Sequence, residues 1–295
     1  MARVGVFHSW GMGDLILLTP TLRSLHLSGH RVELILTSDY TPLLRGADFV
    51  EKIWVVKRWW ELGKFFRKFD YLVGSAGISP SKLHWLGKIW GVKRVLGGRQ
   101  IPNLHRIEVN LKIAEPLLKE KNWEPYIYIA PKDKVSHYLK KGVKNIGFGV
   151  GSGKLQKFKR WKRFGELIER VEGHKLIFIG PDEVELEEGF RNLGEIVKVE
   201  LGALPVLISQ LDLLVGNDNG IMQIGYGVGT NCVTIFGMTN PRETGGYRPN
   251  NLSVYLPLPC RPCFDPSTDR VGCTRYPCLT QLSPEKVLEK CQKFL

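Results

Sequence analysis

The chain has 295 residues, 43% of them apolar, which suits one large domain or two of ordinary size and makes disorder a poor reading. Forty-two basic against 29 acidic residues give a net charge of +13, which favours an anionic partner such as a nucleotide, nucleic acid or acidic lipid surface, the plainer alternative being a basic surface that only confers solubility. No run nears the roughly 18 uncharged apolar residues of a membrane span, and MARVGVFHSW leads into GMGD without a cleavage pattern, so a soluble intracellular protein is expected, with attachment to a membrane surface open.

RVGVF, Arg3 to Phe7, alternates as a strand. HSWGMGDLILLTP then turns into an apolar helix that runs to about Leu27, bent at Pro20 or divided there into a short first segment. Two glycines and an acid exceed what a helix start needs. Gly11, Met12 and Gly13 offer backbone that a ligand can approach closely. Asp14 lies where the helix field favours a carboxylate, which can take a proton from a hydroxyl nucleophile; an ordinary helix-start charge is the plainer reading. His8 reaches the same space or makes a local hydrogen bond. RVELILT, Arg31 to Thr37, is a second strand, with DYLVG and VKRVLG as weaker ones. Between them KRWWELGKFFRKF, Lys57 to Phe69, mixes aromatic and basic residues. A partly buried amphipathic helix accounts for Trp60, Phe65 and Phe69, and a part in docking at a membrane surface stays open.

After a polar connection from Lys132 to Asn145 a second series of strands begins: NIGFGVG, KLIFIG, LDLLVG and CVTIFG. Each runs into a polar or glycine-bearing loop, GSGK, GPDE, NDNG and GMTNP, and such loops collect at the carboxyl edge of a parallel sheet. Glycines that merely close strands would look similar. The pattern predicts an α/β protein of two doubly wound, Rossmann-like domains, residues 1–140 and 141–295, facing one another across a cleft. The second handles the anion. Six bases fall between Lys154 and Arg163 without an acid, ahead of a helix face of Phe164, Leu167, Ile168 and Val171. They read as a clamp on a diphosphate or as a solvated basic face. In NDNG, Asp218 can bind a ribose hydroxyl or orient a basic group, and Gly220 admits a ligand to the backbone; an Asx-rich turn without a ligand is the plainer reading. FGMTNP adds a backbone nest at Gly237 and the Thr239 hydroxyl.

Cys260, Cys263, Cys273 and Cys278 lie close in sequence, the first two with zinc-like spacing. A loop pinned by zinc or disulfides, or plain reduced thiols, is expected there before a catalytic metal. In SPEKVLEKC, Ser283 caps, Pro284 opens the helix, and Val287, Leu288 and Cys291 form its apolar stripe. The opening loop has neither a dinucleotide fingerprint nor a phosphate-loop motif, the seven histidines are dispersed, and no signature supports sequence-specific nucleic-acid binding.

Taken in order, GMGDLILLTPTLRSL, KRWKRF, LDLLVGNDNGIMQIGYGVGTNCVTIFGMTNP and CLTQLSPEKV make the chain similar nearly end to end to glycosyltransferase family 9, the ADP-heptose:lipopolysaccharide heptosyltransferases. The resemblance implies a GT-B fold, an acceptor-binding first domain, a nucleotide-sugar-binding second domain, and inverting transfer with no obligatory metal or other cofactor. It makes Asp14 the general base and gives Lys159 a donor phosphate. Asp218, Asn219 and Gly220 occupy the family's Asp-Thr/Ser-Gly position, and Gly237 and Thr239 lie on the later phosphate-side loop. Gln223 stands where a histidine is frequent; it can hydrogen-bond but carries no imidazolium charge. Another nucleotide-sugar donor therefore stays open, as does a non-catalytic polyanion binder. The implied partners are a nucleotide sugar and a glycolipid or saccharide acceptor, met in the cytoplasm or at the inner face of its membrane.

Overall fold

The computed structural model describes residues 1–132, 135–265 and 270–295. Contacts divide the chain into two units, residues 1–128 and 129–295, each with its own parallel sheet. Part of the polar connection from Lys132 to Asn145, residues 133–134, lies outside the described residues.

Unit 1 runs β1 (Arg3–His8), α1 (Met12–Ile16), α2 (Thr19–Leu27), β2 (Arg31–Leu36), β3 (Lys52–Val55), β4 (Tyr71–Gly74), α3 (Pro80–Ile89), β5 (Arg94–Leu96) and α4 (Arg106–Ala114). All five strands are parallel, in the order β3-β2-β1-β4-β5. Alternation along β1 sends Val4 and Val6 to one face with Leu15, Leu22 and Leu34, and Phe7 to the other with Phe65, Leu83 and Trp90. A sheet covered on both faces is what crossover helices require. The apolar helix expected to reach Leu27 is two helices. Pro20 sits in the first turn of α2, where its missing N–H is not needed, and Thr19 donates from its hydroxyl to the Ile16 carbonyl at 2.7 Å.

The aromatic and basic stretch departs from expectation. Trp59–Phe65 is a short 3-10 segment, not an amphipathic α-helix. Phe65 and Phe69 join the core as expected, but Trp60 is 57% exposed.

Unit 2 runs β6 (Asn145–Gly149), α5 (Phe164–Arg170), β7 (His174–Phe178), α6 (Glu187–Phe190), β8 (Glu195–Val197), α7 (Leu204–Ile208), β9 (Leu213–Asn217), α8 (Gly220–Val228), β10 (Cys232–Ile235), α9 (Pro241–Thr244) and β11 (Asn251–Val254). A small antiparallel ribbon of β12 (Phe264–Asp265) and β13 (Arg270–Val271) follows, then α10 (Pro277–Thr280) and α11 (Pro284–Cys291). The six strands of the main sheet are parallel, in the order β11-β10-β9-β6-β7-β8. The stripe expected on α5 is buried, with Phe164, Leu167, Ile168 and Val171 packed beside Trp161 and the Val287 and Cys291 face of α11. The segment ahead of β6 is fastened to this unit, since the Tyr138 hydroxyl accepts from Lys198 N at 3.1 Å.

Each sheet reverses its strand order beside its first strand, between β1 and β4 in unit 1 and between β6 and β9 in unit 2. Where neighbouring crossovers leave in opposite directions, the carboxyl ends of the strands open a crevice. Among the described residues no helix is long and apolar enough to cross a membrane.

Candidate functional site

The loop that opens the chain leaves the sheet of unit 1 at its switch point. Asp14 lies in the first turn of α1, with Gly11 in the capping position. A Cβ built on Gly11 would meet no atom within 4 Å, so packing inside the protein does not require a glycine there. Arg106, at the start of α4 and largely buried, brings Nε to 3.6 Å from Asp14 Oδ1 and donates from Nη1 to Ala76 O at 3.1 Å. Among the described residues its Nε has no hydrogen-bond partner, and neither has the buried indole N–H of Trp10 on the same loop. Asn110 holds this arrangement together: its Oδ1 accepts from Ala76 N at 2.7 Å and its Nδ2 donates to Leu17 O at 3.2 Å.

His8 is buried behind that loop. Its Nε2 donates to Gly11 O at 3.3 Å and its Nδ1 accepts from the Ser75 hydroxyl at 3.0 Å, which ties the carboxyl ends of β1 and β4 to one another. Burial pushes the imidazole below its ordinary 6.5, against the opposing pull of Asp14. His8 thus takes the local hydrogen-bonding role.

In unit 2 the switch point gathers the loops after β6 and β9. Asn217, fully buried at the end of β9, accepts from Trp161 N at 2.9 Å and donates to the carbonyls of Val150 and Gly151 at 2.9 and 3.2 Å. Asn219 caps α8 with its Oδ1, accepting from Ile221 N and Met222 N at 3.1 and 3.2 Å, while its Nδ2 donates to Gly151 O at 2.7 Å. Lys159 Nζ lies 3.5 Å from Asp218 Oδ2 and 4.9 Å from the Phe264 ring centroid. Both side chains of this pair are mostly buried, and Asp218 Oδ1 accepts from the Thr244 hydroxyl at 3.4 Å. Gly220 begins α8. Gln223, one turn on, donates from Nε2 to Thr244 O at 2.6 Å, and its buried Oε1 has no hydrogen-bond partner among the described residues. The buried hydroxyl of Thr239, which lines a small cavity with Asn240, Tyr255 and Arg261, has none among them either. Lys159, Asp218, Asn219, Gly220 and Gln223 are thus linked through one set of contacts around the start of α8, with Thr239 on the next loop. Their orphaned polar atoms are what a polar ligand can satisfy.

Two expectations change. The run from Lys154 to Arg163 is not an unopposed cation cluster. Lys157 pairs with Glu185 at 2.8 Å, Arg160 with Glu183 at 2.6 Å and Glu185 at 3.2 Å, and Arg163 with Glu166 at 2.8 Å. The amides of the GSG loop are likewise occupied: Ser152 N and Gly153 N both donate to Glu183 Oε1, at 2.8 and 3.0 Å, and Gly153 takes a φ of +87°. The loop thus holds an internal carboxylate. Gly237 answers to packing, since a Cβ there would lie 2.8 Å from Leu279 Cγ.

Hydrogen bonds from Arg261 and from the backbone hold the cysteine loop. All six cysteines are free, and Cys278 and Cys291 are buried in the core of unit 2. Arg261 donates to Leu256 O and Thr239 O, both at 2.9 Å, while Cys263 N and Phe264 N donate to Met238 O. Among the described residues no group of three or more His, Cys, Asp or Glu side chains is placed to hold a metal ion. Residues 266–269, within the stretch read for a staple, lie outside the described residues.

Sequence reasoning missed Arg106, Ser75, Thr244, Glu183 and Arg261 as parts of these sites. Each acts over a long sequence separation, which local spacing does not carry. Asn217 was visible as the first letter of NDNG, but its position on the strand, not in the loop, was not.

Residues 100–273 match the family described as glycosyltransferase family 9 (heptosyltransferase). A lipooligosaccharide heptosyltransferase 2 of Campylobacter jejuni is 28% identical over 171 residues, 53% of this chain and 53% of the relative. The chain thus spans about half the length of the curated relatives it matches. A glycosyltransferase family 9 structure from Veillonella parvula superposes with a TM-score of 0.79 at 18% identity, covering 99% of this chain and 97% of that one. The Escherichia coli ADP-heptose lps heptosyltransferase II gives 0.74 at 16% identity, covering 100% and 98%. At such identities the likeness is one of fold, the GT-B fold with two parallel α/β sheets that the sequence leads one to expect.

Proposed function

We propose a reaction from one premise: the chain belongs to glycosyltransferase family 9, the heptosyltransferase family. The reaction is inverting transfer of heptose from ADP-heptose to a lipopolysaccharide core or related glycolipid, at the cytoplasmic face of the membrane where a soluble donor meets a lipid-borne acceptor. The observation that carries this reading is the Lys159–Asp218 pair, 3.5 Å apart at the switch point of the second sheet and beside the start of α8.

In the proposed step an acceptor hydroxyl attacks the anomeric carbon from the side opposite the diphosphate. Asp14 takes the hydroxyl proton as the new C–O bond forms, and the bond to the diphosphate breaks with its electron pair going to the leaving oxygen. The charge that develops there is met by Lys159 and by the positive end of α8. The ion pair with Asp218 holds Lys159 beside the donor. The orphaned Nε of Arg106 and indole N–H of Trp10 are donors available to the acceptor near Asp14. Gln223 Oε1 and the Thr239 hydroxyl are available to the nucleotide sugar.

The test is a donor panel, titrated by calorimetry and followed by mass analysis of the product. ADP-heptose should bind and its heptose should appear on the acceptor with inverted configuration. Asp14→Asn should lower turnover about a hundredfold to ten-thousandfold with donor affinity kept. Undiminished transfer by that variant removes Asp14 from the role of base.

A second reading, transfer of a different nucleotide-linked sugar, is favoured by Gln223 and by Asn219, where the family pattern has histidine and a small hydroxyl residue. Tight binding of another sugar nucleotide in the same panel would select it. A polyanion-binding role has less support, because Lys157, Arg160 and Arg163 already face acids of the same unit.

A further inference from the structure

We propose that unit 1 docks on an anionic phospholipid surface through the exposed aromatic and basic side chains of residues 57–68 and of α3. Trp60, Phe66 and Trp85 are 57%, 59% and 58% exposed, and Ile89 is 38% exposed. On α3 the residues Leu83, Leu86 and Gly87 face the core, so Trp85 and Ile89 stand one turn apart on the outward side. Phe66 lies against Gly91 just beyond the end of that helix, and Arg67 N donates to Trp90 O at 2.6 Å. The two segments are therefore joined along one edge. Beneath them Phe65, Phe69 and Trp90 are packed ring against ring in the core, which gives the outward rings a rigid base.

The charges around these rings decide the partner. Residues 57–94 hold nine bases and two acids, a net +7 out of the chain's +13. Lys82 and Lys88 are exposed on α3 beside Trp85 and Ile89, while the guanidinium groups of Arg58 and Arg67 lie over the rings of Trp60 and Phe66. Aromatic rings among lysines and arginines match the boundary between acyl chains and anionic headgroups. A second copy of the chain would set the same excess of positive charge against itself. This inference stands apart from the transfer reaction, because lipid binding is measured without donor or acceptor.

The experiment floats the full chain on vesicles of phosphatidylcholine alone and of phosphatidylcholine mixed with phosphatidylglycerol. The protein should rise with the mixed vesicles, not with the neutral ones, and salt should weaken the association. Trp85→Ser with Phe66→Ser should weaken it at least about tenfold. Lys82→Ser with Lys88→Ser should weaken it about 25-fold, since one lysine near an anionic surface is worth about fivefold. All four positions are exposed, and unchanged circular dichroism verifies the fold. Asp14→Asn should float as the parent does, so a failed transfer assay and a failed flotation remain separate results. Equal flotation on both vesicle types, or none, overturns the proposal. So does dimer formation that Trp85→Ser abolishes while flotation is absent, which gives the face to a second copy. Single-stranded nucleic acid bound in preference to the mixed vesicles also overturns it.

Discussion

Lys159 differs from its neighbours in direction. Lys157 and Arg160 reach toward Glu183 and Glu185 and Arg163 toward Glu166, whereas Lys159 turns to Asp218. If the loop after β9 holds a diphosphate, Lys159→Ala removes a charge-assisted hydrogen bond worth about 1.5–3 kcal/mol, and the Kd for ADP should rise about tenfold to hundredfold. Lys157→Ala removes an exposed surface pair and should change it less than about twofold. Titration calorimetry of both variants reads the contrast, and equal losses would pass the diphosphate to the run as a whole. His8 makes a prediction about pH. Its folded pKa lies below the ordinary 6.5 because burial disfavours the imidazolium. Below about 6.5 the unfolded chain therefore takes a proton that the folded one refuses, and stability falls with acid down to the folded pKa; above 6.5 it is flat. The slope in that window is at most about 1.4 kcal/mol per pH unit. His8→Gln keeps a donor for Gly11 O and an acceptor for Ser75 while removing the titration. Thermal unfolding from about pH 7.5 to about pH 5 should fall more steeply for the parent than for the variant. Parallel curves would mean that His8 is not held neutral.

At the scale of the element, α8 is the piece on which the second site is mounted. Asn219 serves it twice, by capping its first amides and by donating to Gly151 O of the loop after β6. Asn219→Ala loses the cap and leaves a carbonyl without its donor, so about 2–3 kcal/mol of stability should go. Asn219→Ser restores the family's hydroxyl, keeps the cap and loses the second bond, for about 1 kcal/mol. Guanidinium denaturation followed in unit 2 should rank parent, Ser and Ala in that order; Ser as low as Ala would show that the tie to Gly151 outweighs the cap. The far end of α8 closes on Gly229 at φ +83°, a conformation in which an alanine would be strained. Such endings can be read locally, as NDNG ahead of an apolar helix was. Ser283 shows where that fails. It occupies the capping position of α11, but its hydroxyl makes no cap bond and turns to Glu285, whose carboxyl is held at about 2, chiefly by Arg170. A residue type fixes the capping position, but the acid two residues on takes the hydroxyl, and the Arg170 that holds this acid comes from another part of the sequence.

Over the whole molecule, the sequence disclosed the inner strands of both sheets and, of the outer ones, β5 through VKRVLG. β1, β6, β7 and β9 are covered on both faces and read as apolar runs, whereas β3, β8 and β11 are short outer strands of mixed burial that no periodicity marked. The loops at the switch points were legible because glycine and acid interrupt apolar runs there. Their internal partners, Arg106 for Asp14 and Glu183 for the GSG amides, were not, since hydrophobic spacing tells which side of an element is buried and not what meets it. The two units have separate hydrophobic cores, one around Val4, Leu22 and Leu34 and another around Phe148, Trp161 and Val287. A ligand held by one of them should raise the unfolding transition of that one. With free ADP at about a hundred times its Kd, binding contributes about 2.7 kcal/mol, which for a unit of this size is a shift of about 5–10 °C. Scanning calorimetry, with hydrogen exchange to assign the transitions, should show residues 129–295 gaining that stability while residues 1–128 keep their own. In Lys159→Ala the same ADP concentration should produce a smaller shift, because fewer sites are filled. If both units gain equally in the parent, or if the gain falls on residues 1–128, the diphosphate is not held by the switch point between β6 and β9, and Asp218, Gln223 and Thr239 lose their place in the donor site.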